Sequence, residues 1–217
     1  ALSPAASHQC EPALSSPLIF VSQLAAYIAV AEHALLTGAD GGLLRACIGH
    51  SQGLAACLAV EASDSLPRLI NEGARLAKVM FWTGCALQSA ELGRRSMLRV
   101  TGLPRSQVEA LLAQSGSGSA CLSVINADDD HVVTDTPEGL QKLQDLLEDR
   151  DGSTTATCKL LEVCAPFHNR SLNAAACERV MEIAQRRGLL ATAEERSRTH
   201  SMLASVLLEP FDWPRAV

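Results

Sequence analysis

Five residues, Gly49-His50-Ser51-Gln52-Gly53, constrain the fold of this chain more than any other stretch. They stand between two apolar runs, residues 43–48 (LLRACI) and 54–60 (LAACLAV). The first run has the length and character of a buried parallel strand, and the second reads as a helix. Strand, tight glycine turn and helix in succession are the unit of an α/β fold. A serine with a glycine two residues away on each side of such a turn is a nucleophile elbow. Its strained backbone demands small neighbours and lifts the hydroxyl above the sheet edge. The following helix aims its first N–H groups and positive dipole end at an oxyanion, so the Gln52 N–H is the first expected donor.

At 217 residues the chain can bury one sizeable core with a smaller insertion. A content of 47% hydrophobic and 19% charged residues is that of a globular protein, and 3% aromatics leave Ala, Leu and Val to build the interior. The formal charge of -6 has the wrong sign for general nucleic-acid binding. The 8 cysteines form no CxxC pair and no Cys/His cluster at zinc spacing, so buried reduced thiols, a cytoplasmic protein and no metal are expected. The apolar stretches 17–30 and 48–60 fall short of the roughly 20 residues of a membrane span. No basic segment precedes them as in a signal peptide. The Ala/Ser/Pro-rich opening without Met suggests a piece of a longer chain.

Residues 16–33 carry apolar positions at helical spacing, and a further helix is expected over 67–90. The texture changes at Ser96. Strand 97–101, helix 104–114, strand 121–126, strand 131–134, helix 137–148 and strand 155–163 follow in order. That β-α-β-β-α-β order is ferredoxin-like. The expected architecture is α/β: an α/β-hydrolase-like parallel-sheet core of residues 1–95 and 158–217, with a ferredoxin-like subdomain inserted over 96–157. The acidic run Asp128-Asp129-Asp130 reads as a solvated turn. Arg94-Arg95 and Arg186-Arg187 read as surface pairs.

A nucleophilic serine needs a base. His50 adjoins Ser51 and points elsewhere in a tight elbow. His8 and His200 sit in polar stretches, His33 ends a helix, and His131 starts a strand of the insert. His168 follows a strand and a rigid Ala165-Pro166-Phe167 turn, where a loop can present it over the sheet edge. It is the candidate base, and a satisfied loop histidine is the alternative.

The block PLIFVSQLAAY (17–27), the elbow GHSQGL (49–54), EASDS (61–65), VMFWTG (79–84), SVIN (123–126) with His131-Val132-Val133, and Ala165-Pro166-Phe167-His168 resemble the acyltransferase domain of type I fatty-acid synthases. The likeness is nearest to the acetyltransferase of fungal and bacterial β-type chains, and more distant to starter-unit acyltransferase domains of fungal polyketide synthases. It implies transfer of an acyl group from acyl-CoA through Ser51 to the phosphopantetheine thiol of an acyl carrier protein, with His168 as base and no permanently bound cofactor. It further implies the other synthase domains as partners and Asn126 facing the site, an Asx cap of the following turn being the equal alternative. Phe167 beside the histidine would crowd branched acyl chains, and His50 reads as a packing or hydrogen-bonding residue next to the serine. By the same likeness Ala77 stands where malonyl-handling relatives carry an arginine, with Arg75 two residues away, so acetyl is expected over malonyl. The family's first strand and glutamine-bearing loop would precede Ala1. The stretch between Arg187 and Leu207 is too short for the segment whose carbonyl orients the histidine.

Two other readings remain. An α/β-hydrolase (esterase or thioesterase) would need a carboxylate on the histidine, with Asp135, Asp145, Glu148 and Asp149 in the right interval. A non-catalytic acyltransferase relic would keep the fold as a structural module.

Overall fold

The computed structural model describes residues 11–36, 47–88, 95–149 and 156–212. Helices α1 (Pro12–Leu36), α2 (Gly53–Glu61) and α3 (Leu66–Gln88) come first. Strand β1 (Met97–Thr101), helix α4 (Arg105–Ser115), strands β2 (Cys121–Ala127) and β3 (Asp130–Thr134), helix α5 (Pro137–Glu148) and strand β4 (Thr157–Leu160) follow. The chain closes with α6 (Arg170–Arg186), α7 (Ala193–Leu203), a π-helical turn Ala204–Leu208, and the two-residue strand β5, Phe211–Asp212.

The sheet runs β4-β1-β3-β2-β5. The first four strands are antiparallel, with Leu98 opposite Val133 and Leu160, and β5 joins parallel to β2. Side chains alternate across it, except in β2, where register shifts at Leu122/Val124 and Ile125/Ala127 break the period and leave Leu122 and Ile125 on one face. Leu98, Val100, Leu122, Ile125 and Val133 face α4 and α5, meeting Val108, Leu111, Leu140 and Leu143. Met97, Val124 and Val132 face the other way and meet Leu161, Val163 and Phe167. The remaining helices form a separate apolar body around Phe20, Leu76, Val79, Met80, Val180, Leu203 and Leu207. His131, fully buried, is a core residue: its Nε2 donates to the Leu103 carbonyl at 3.1 Å.

Local signals account for the helix starts. Thr136 caps α5 by accepting from the Gly139 N–H, ahead of Pro137 at the first helical position. Thr192 and Glu195 form a reciprocal capping box on α7. Helices α6 and α7 themselves were not anticipated. Helix α1 starts four residues before the expected Ser16 and runs through Pro17, because Ala13 and Ser16 are buried.

Two expectations need correcting and a third falls mainly outside the described residues. First, of the strand expected at 43–48, residues 43–46 lie outside the described residues, and 47–48 form no strand. Among the described residues the parallel pairing is that of β2 with β5, and the body around Ser51 is helical. Second, α1 holds a 21-residue window, Pro12–Glu32, with mean hydropathy 1.7, long and apolar enough to cross a bilayer by length and composition. The flanking turns of the helix supply the residues that the apolar run alone lacks, and Leu14, Leu18, Ile19, Val21 and Val30 are exposed. Third, the thiols are not generally buried. Cys177 is, Cys47 is exposed, and Cys57, Cys85, Cys121, Cys158 and Cys164 are half-buried.

Helix α1 meets α3 at a bare backbone contact. A Cβ on Gly84 would lie 2.2 Å from the Ala13 nitrogen. Alanine in a helix interior ordinarily gains about 1 kcal/mol over glycine. Here overpacking, typically about 1–3 kcal/mol, opposes that gain and acts on rigid backbone. With the cost at the upper end of that range the net loss is about 2 kcal/mol, so Gly84→Ala is expected to lower the melting temperature by roughly 4–8 °C, at about 2–4 °C per kcal/mol. A raised melting temperature in a calorimetric scan would contradict the contact.

Candidate active site

Ser51 lies at the turn into α2 with φ 50, a left-handed conformation costing a non-glycine residue about 1–2 kcal/mol. Gly49 makes the turn possible: a Cβ there would meet the Gly53 carbonyl carbon at 2.4 Å and its oxygen at 2.5 Å. Gly53 has more room, since its Cβ would find only the Gln23 amide at 3.8 Å. The first glycine of the motif is thus required by close backbone approach and the second is what it approaches.

Across the cleft, His168 Nε2 stands 3.0 Å from Ser51 Oγ. His168 is 2% exposed and also left-handed, with φ 58. Its Nδ1 faces the Glu209 carbonyl at 2.9 Å. A carbonyl can only accept, so Nδ1 carries the proton and Nε2 presents a lone pair to the serine. The orienting carbonyl expected to be missing is therefore supplied by Glu209, directly after the π-helical turn. The short connection suffices because α7 and that turn bring the chain back over His168. Its main-chain N–H donates to Val206 O at 3.3 Å, and that of Asn169 to Leu207 O at 2.8 Å.

The sheet grips the same loop from the other side. Thr134 Oγ1 donates to the Phe167 carbonyl at 3.2 Å, and Cys121 Sγ to the His168 carbonyl at 3.4 Å. Burial, and then the charge of Asp135, push the Cys121 thiol up to about 11, so it stays protonated and able to donate. Asn173, fully buried, donates to the Pro166 carbonyl and, at 3.0 Å, to Leu207 O.

Gln52 occupies the N-cap position of α2, and no described residue accepts from its N–H. Its side chain donates to Ser16 Oγ at 3.0 Å, tying α1 to the elbow. The cleft over Ser51, about 500 Å³, is lined by Ile19 and Gln23 of α1, the elbow, Met97, Val124, Asn126 and Val132 of the sheet, and Leu161, Glu162, Val163, Phe167 and His168. His50 and Asn126 thus border it. Asn126 also bonds Asp130, whose carboxyl is held below its usual range first by Arg99, bidentate at 2.7 and 2.9 Å.

Arg75 and Ala77 are not brought into this cleft. Arg75 pairs with Glu72 and donates to Leu189 O at 2.9 Å and Thr199 Oγ1 at 3.2 Å, lining a separate polar cavity. Ala77 packs against the helical body. Two residues apart, they project from opposite sides of α3, and neither side lines the cleft over Ser51. Sequence reasoning missed Glu209, Asn169 and Asn173. An asparagine directly before a helical run was a legible cap signal at Asn169, whereas a main-chain acceptor such as Glu209 O has no residue signature.

This fold is shared with solved acyltransferases. A malonyl-CoA transacylase from Clostridium perfringens superposes with a TM-score of 0.64 at 18% identity, over 82% of this chain and 51% of that one. FabD from Acinetobacter baumannii gives 0.68 at 21% over 95% and 65%. A malonyl-transacylase solved with its type II polyketide synthase acyl-carrier protein gives 0.71 at 13% over 96% and 66%. The described residues share the α/β fold of these transacylases and bring a serine and a histidine together at its cleft. Residues 2–168 match the model of the family described as starter unit:ACP transacylase in aflatoxin biosynthesis, and the chain belongs to that family. A curated relative, the fatty acid synthase beta subunit hexB of Dothistroma septosporum, is 28% identical over 118 residues, covering 43% of this chain. The chain spans 6% of that subunit's length and about half of the Clostridium enzyme.

Burial, above all, pushes the His168 imidazole below its ordinary 6.5; the Glu209 carbonyl pulls it up, and His50 pushes it further down. The neutral ring therefore persists into mild acid. Labelling of Ser51 by a fluorophosphonate, which reports serine activated by its base, should lose half its rate at a pH below 6.5. His50→Gln removes a competing positive charge, raises the His168 value and should move that midpoint upward. A midpoint above 6.5, or one indifferent to His50→Gln, would contradict this reading.

Proposed function

We propose that the chain transfers a short neutral acyl group, acetyl in preference to malonyl, from CoA to the phosphopantetheine thiol of an acyl carrier protein. Ser51 Oγ attacks the thioester carbonyl while His168 Nε2 takes its proton. The oxyanion develops toward the Gln52 N–H at the start of α2. Collapse expels the CoA thiolate, which leaves with the proton from His168, and a serine ester remains. The carrier's thiol then enters, gives its proton to His168, and attacks the ester. The acyl thioester departs as the proton returns to Ser51 Oγ. The observation that carries this reading is the 3.0 Å contact of Ser51 Oγ with a buried histidine whose other nitrogen faces a carbonyl.

That carbonyl also weighs against a hydrolase of the Ser-His-Asp kind. The acid position on Nδ1 is taken by Glu209 O. The buried Asp135 instead accepts from Ser119 at 2.5 Å and from the Thr136 N–H at 2.8 Å. The intact pairing of Ser51 and His168 weighs against a relic. Preference for a neutral acyl group is supported by the lining of the cleft, which includes the acidic Glu162 and no Lys or Arg among the described residues. A malonyl carboxylate there would meet like charge and lack the guanidinium fork it needs.

The same reading divides the chain into a core of residues 1–95 and 158–217 and a ferredoxin-like lobe of 96–157. The β4-β1-β3-β2 strand order with two helices on one face supports the lobe. We take α1 as a body helix, since Ser15, Ile19 and Gln23 line the cleft. Further synthase domains as partners and a cytoplasmic setting follow from the proposed activity.

Ser51→Ala is expected to abolish loading from radiolabelled acetyl-CoA, and His168→Ala to slow it by about three orders of magnitude or more with the fold intact. Loading that survives in Ser51→Ala would overturn the assignment. In mixed acetyl-CoA and malonyl-CoA, acetyl loading should dominate, and Glu162→Arg should shift the ratio toward malonyl by about tenfold, the worth of roughly 1.4 kcal/mol. A ratio unmoved by that charge reversal would remove Glu162 from the selectivity account.

A further inference from the structure

His168 occupies a left-handed conformation on a loop between two lobes, so its ring stays on Ser51 only if the surrounding main chain is held from both sides. The helical body holds it through Val206, Leu207 and Glu209. The hold from the sheet converges on the next residue. Asn169 is 1% exposed, and both ends of its amide are engaged. Its Oδ1 accepts from the Leu172 N–H at 3.1 Å, capping α6. Its Nδ2 donates to Ser119 O at 2.7 Å and to Thr134 O at 3.1 Å, reaching the sheet lobe at two points. Ser119 is itself fixed, because its hydroxyl donates to the buried Asp135.

We infer that Asn169 is a positioning residue for His168, locking the histidine's backbone to the antiparallel sheet so that Nε2 stays on Ser51 Oγ; the inference rests on the proposed role of His168 as base. The side chain has the chemistry for this and for nothing smaller. A cap alone needs only an acceptor, which serine, threonine or aspartate would supply equally well. Two carbonyls on the opposite side need a donor pair, which among short side chains only asparagine combines with a cap acceptor. A carboxylate would turn an oxygen toward both carbonyls. Thr134 completes the hold by donating to the Phe167 carbonyl one residue before His168, so the sheet touches both neighbours of the histidine.

Asn169→Ser separates the two roles, because it keeps the cap acceptor and removes both bonds to the sheet. Thr134→Val removes the bond to Phe167 with little change of shape. Two readouts are followed in the full chain: fluorophosphonate labelling of Ser51, and single-turnover loading over a range of acetyl-CoA concentrations. The parent and His168→Ala serve as references. Misplacement of a catalytic group by about 1 Å costs on the order of 100-fold, so Asn169→Ser should label about 10- to 100-fold more slowly than the parent. Thr134→Val should be slower by a smaller factor. The saturating loading rate should fall with labelling, while the half-saturating acetyl-CoA concentration stays where it is.

Labelling of Asn169→Ser at the parent rate, with His168→Ala slow, would overturn the positioning role and leave the base role standing. A loss of rate matched by an equal rise in half-saturation would mean general damage to the cleft and would also overturn it. His168→Ala labelling as fast as the parent would overturn the base role and the inference together. If Asn169→Ser fails to fold, Thr134→Val decides, and parent-rate labelling there contradicts the proposal. If the parent accepts no acyl group from acetyl-CoA, the labelling rates alone decide.

Discussion

The serine and histidine meet because three carbonyls at the end of the described chain hold a strained loop. The π-helical turn Ala204–Leu208 closes through a bond from Glu209 N–H to Ala204 O, five residues apart. Because the helix ends there, the carbonyls of Val206 and Leu207 have no intrahelical partner and accept from the main chain of His168 and Asn169. π-Helical turns recur where a helix must present backbone groups to a site. The turn is anchored by its own side chains, since Val206, Leu207 and Leu208 are buried in the helical body. Each net hydrogen bond contributes about 1 kcal/mol, so the set offsets a left-handed residue that costs about 1–2 kcal/mol. Core packing thus reaches the reacting atoms through main-chain groups.

The antiparallel sheet contributes in two ways that follow from its period of two. One face buries Leu98, Val100 and Val133 against α4 and α5 and makes the lobe a body in its own right. The other offers Met97, Val124 and Val132 as an apolar wall beside Phe167. Its strand ends supply Thr134 and Cys121, which steady the histidine loop. Close packing within that lobe extends to backbone: a Cβ on Gly139 would lie 1.8 Å from Asp135 Oδ2, so the glycine leaves the space that the buried carboxylate fills.

Much of this was legible in residues. The elbow was, because Gly49 answers to a steric demand that any backbone at Ser51 must meet. Strands β1 to β3 and helix α5 were, because their apolar alternation and the Thr136-Pro137 start are local signals. Strand β4 is shorter than its apolar pattern, since its pairing to β1 ends with the bond from Leu161 N–H to Met97 O. Arg75 and Ala77 lie outside the lining of the cleft, and no local signal could show this, because where a helical residue points depends on what the helix packs against. Glu209 was invisible because it acts through a carbonyl that every residue possesses. Asn169 carried a signal for a helix cap, but its second partnership with Ser119 and Thr134 exists only in three dimensions.

The central claim is that Ser51 carries an acyl group bound for a thiol. Peptide mapping by mass spectrometry after brief incubation with acetyl-CoA should find the acetyl group on Ser51, and pantetheine should discharge it far faster than water alone. An acetyl-enzyme that water clears as quickly as the thiol does, or an unmodified Ser51, would contradict the account.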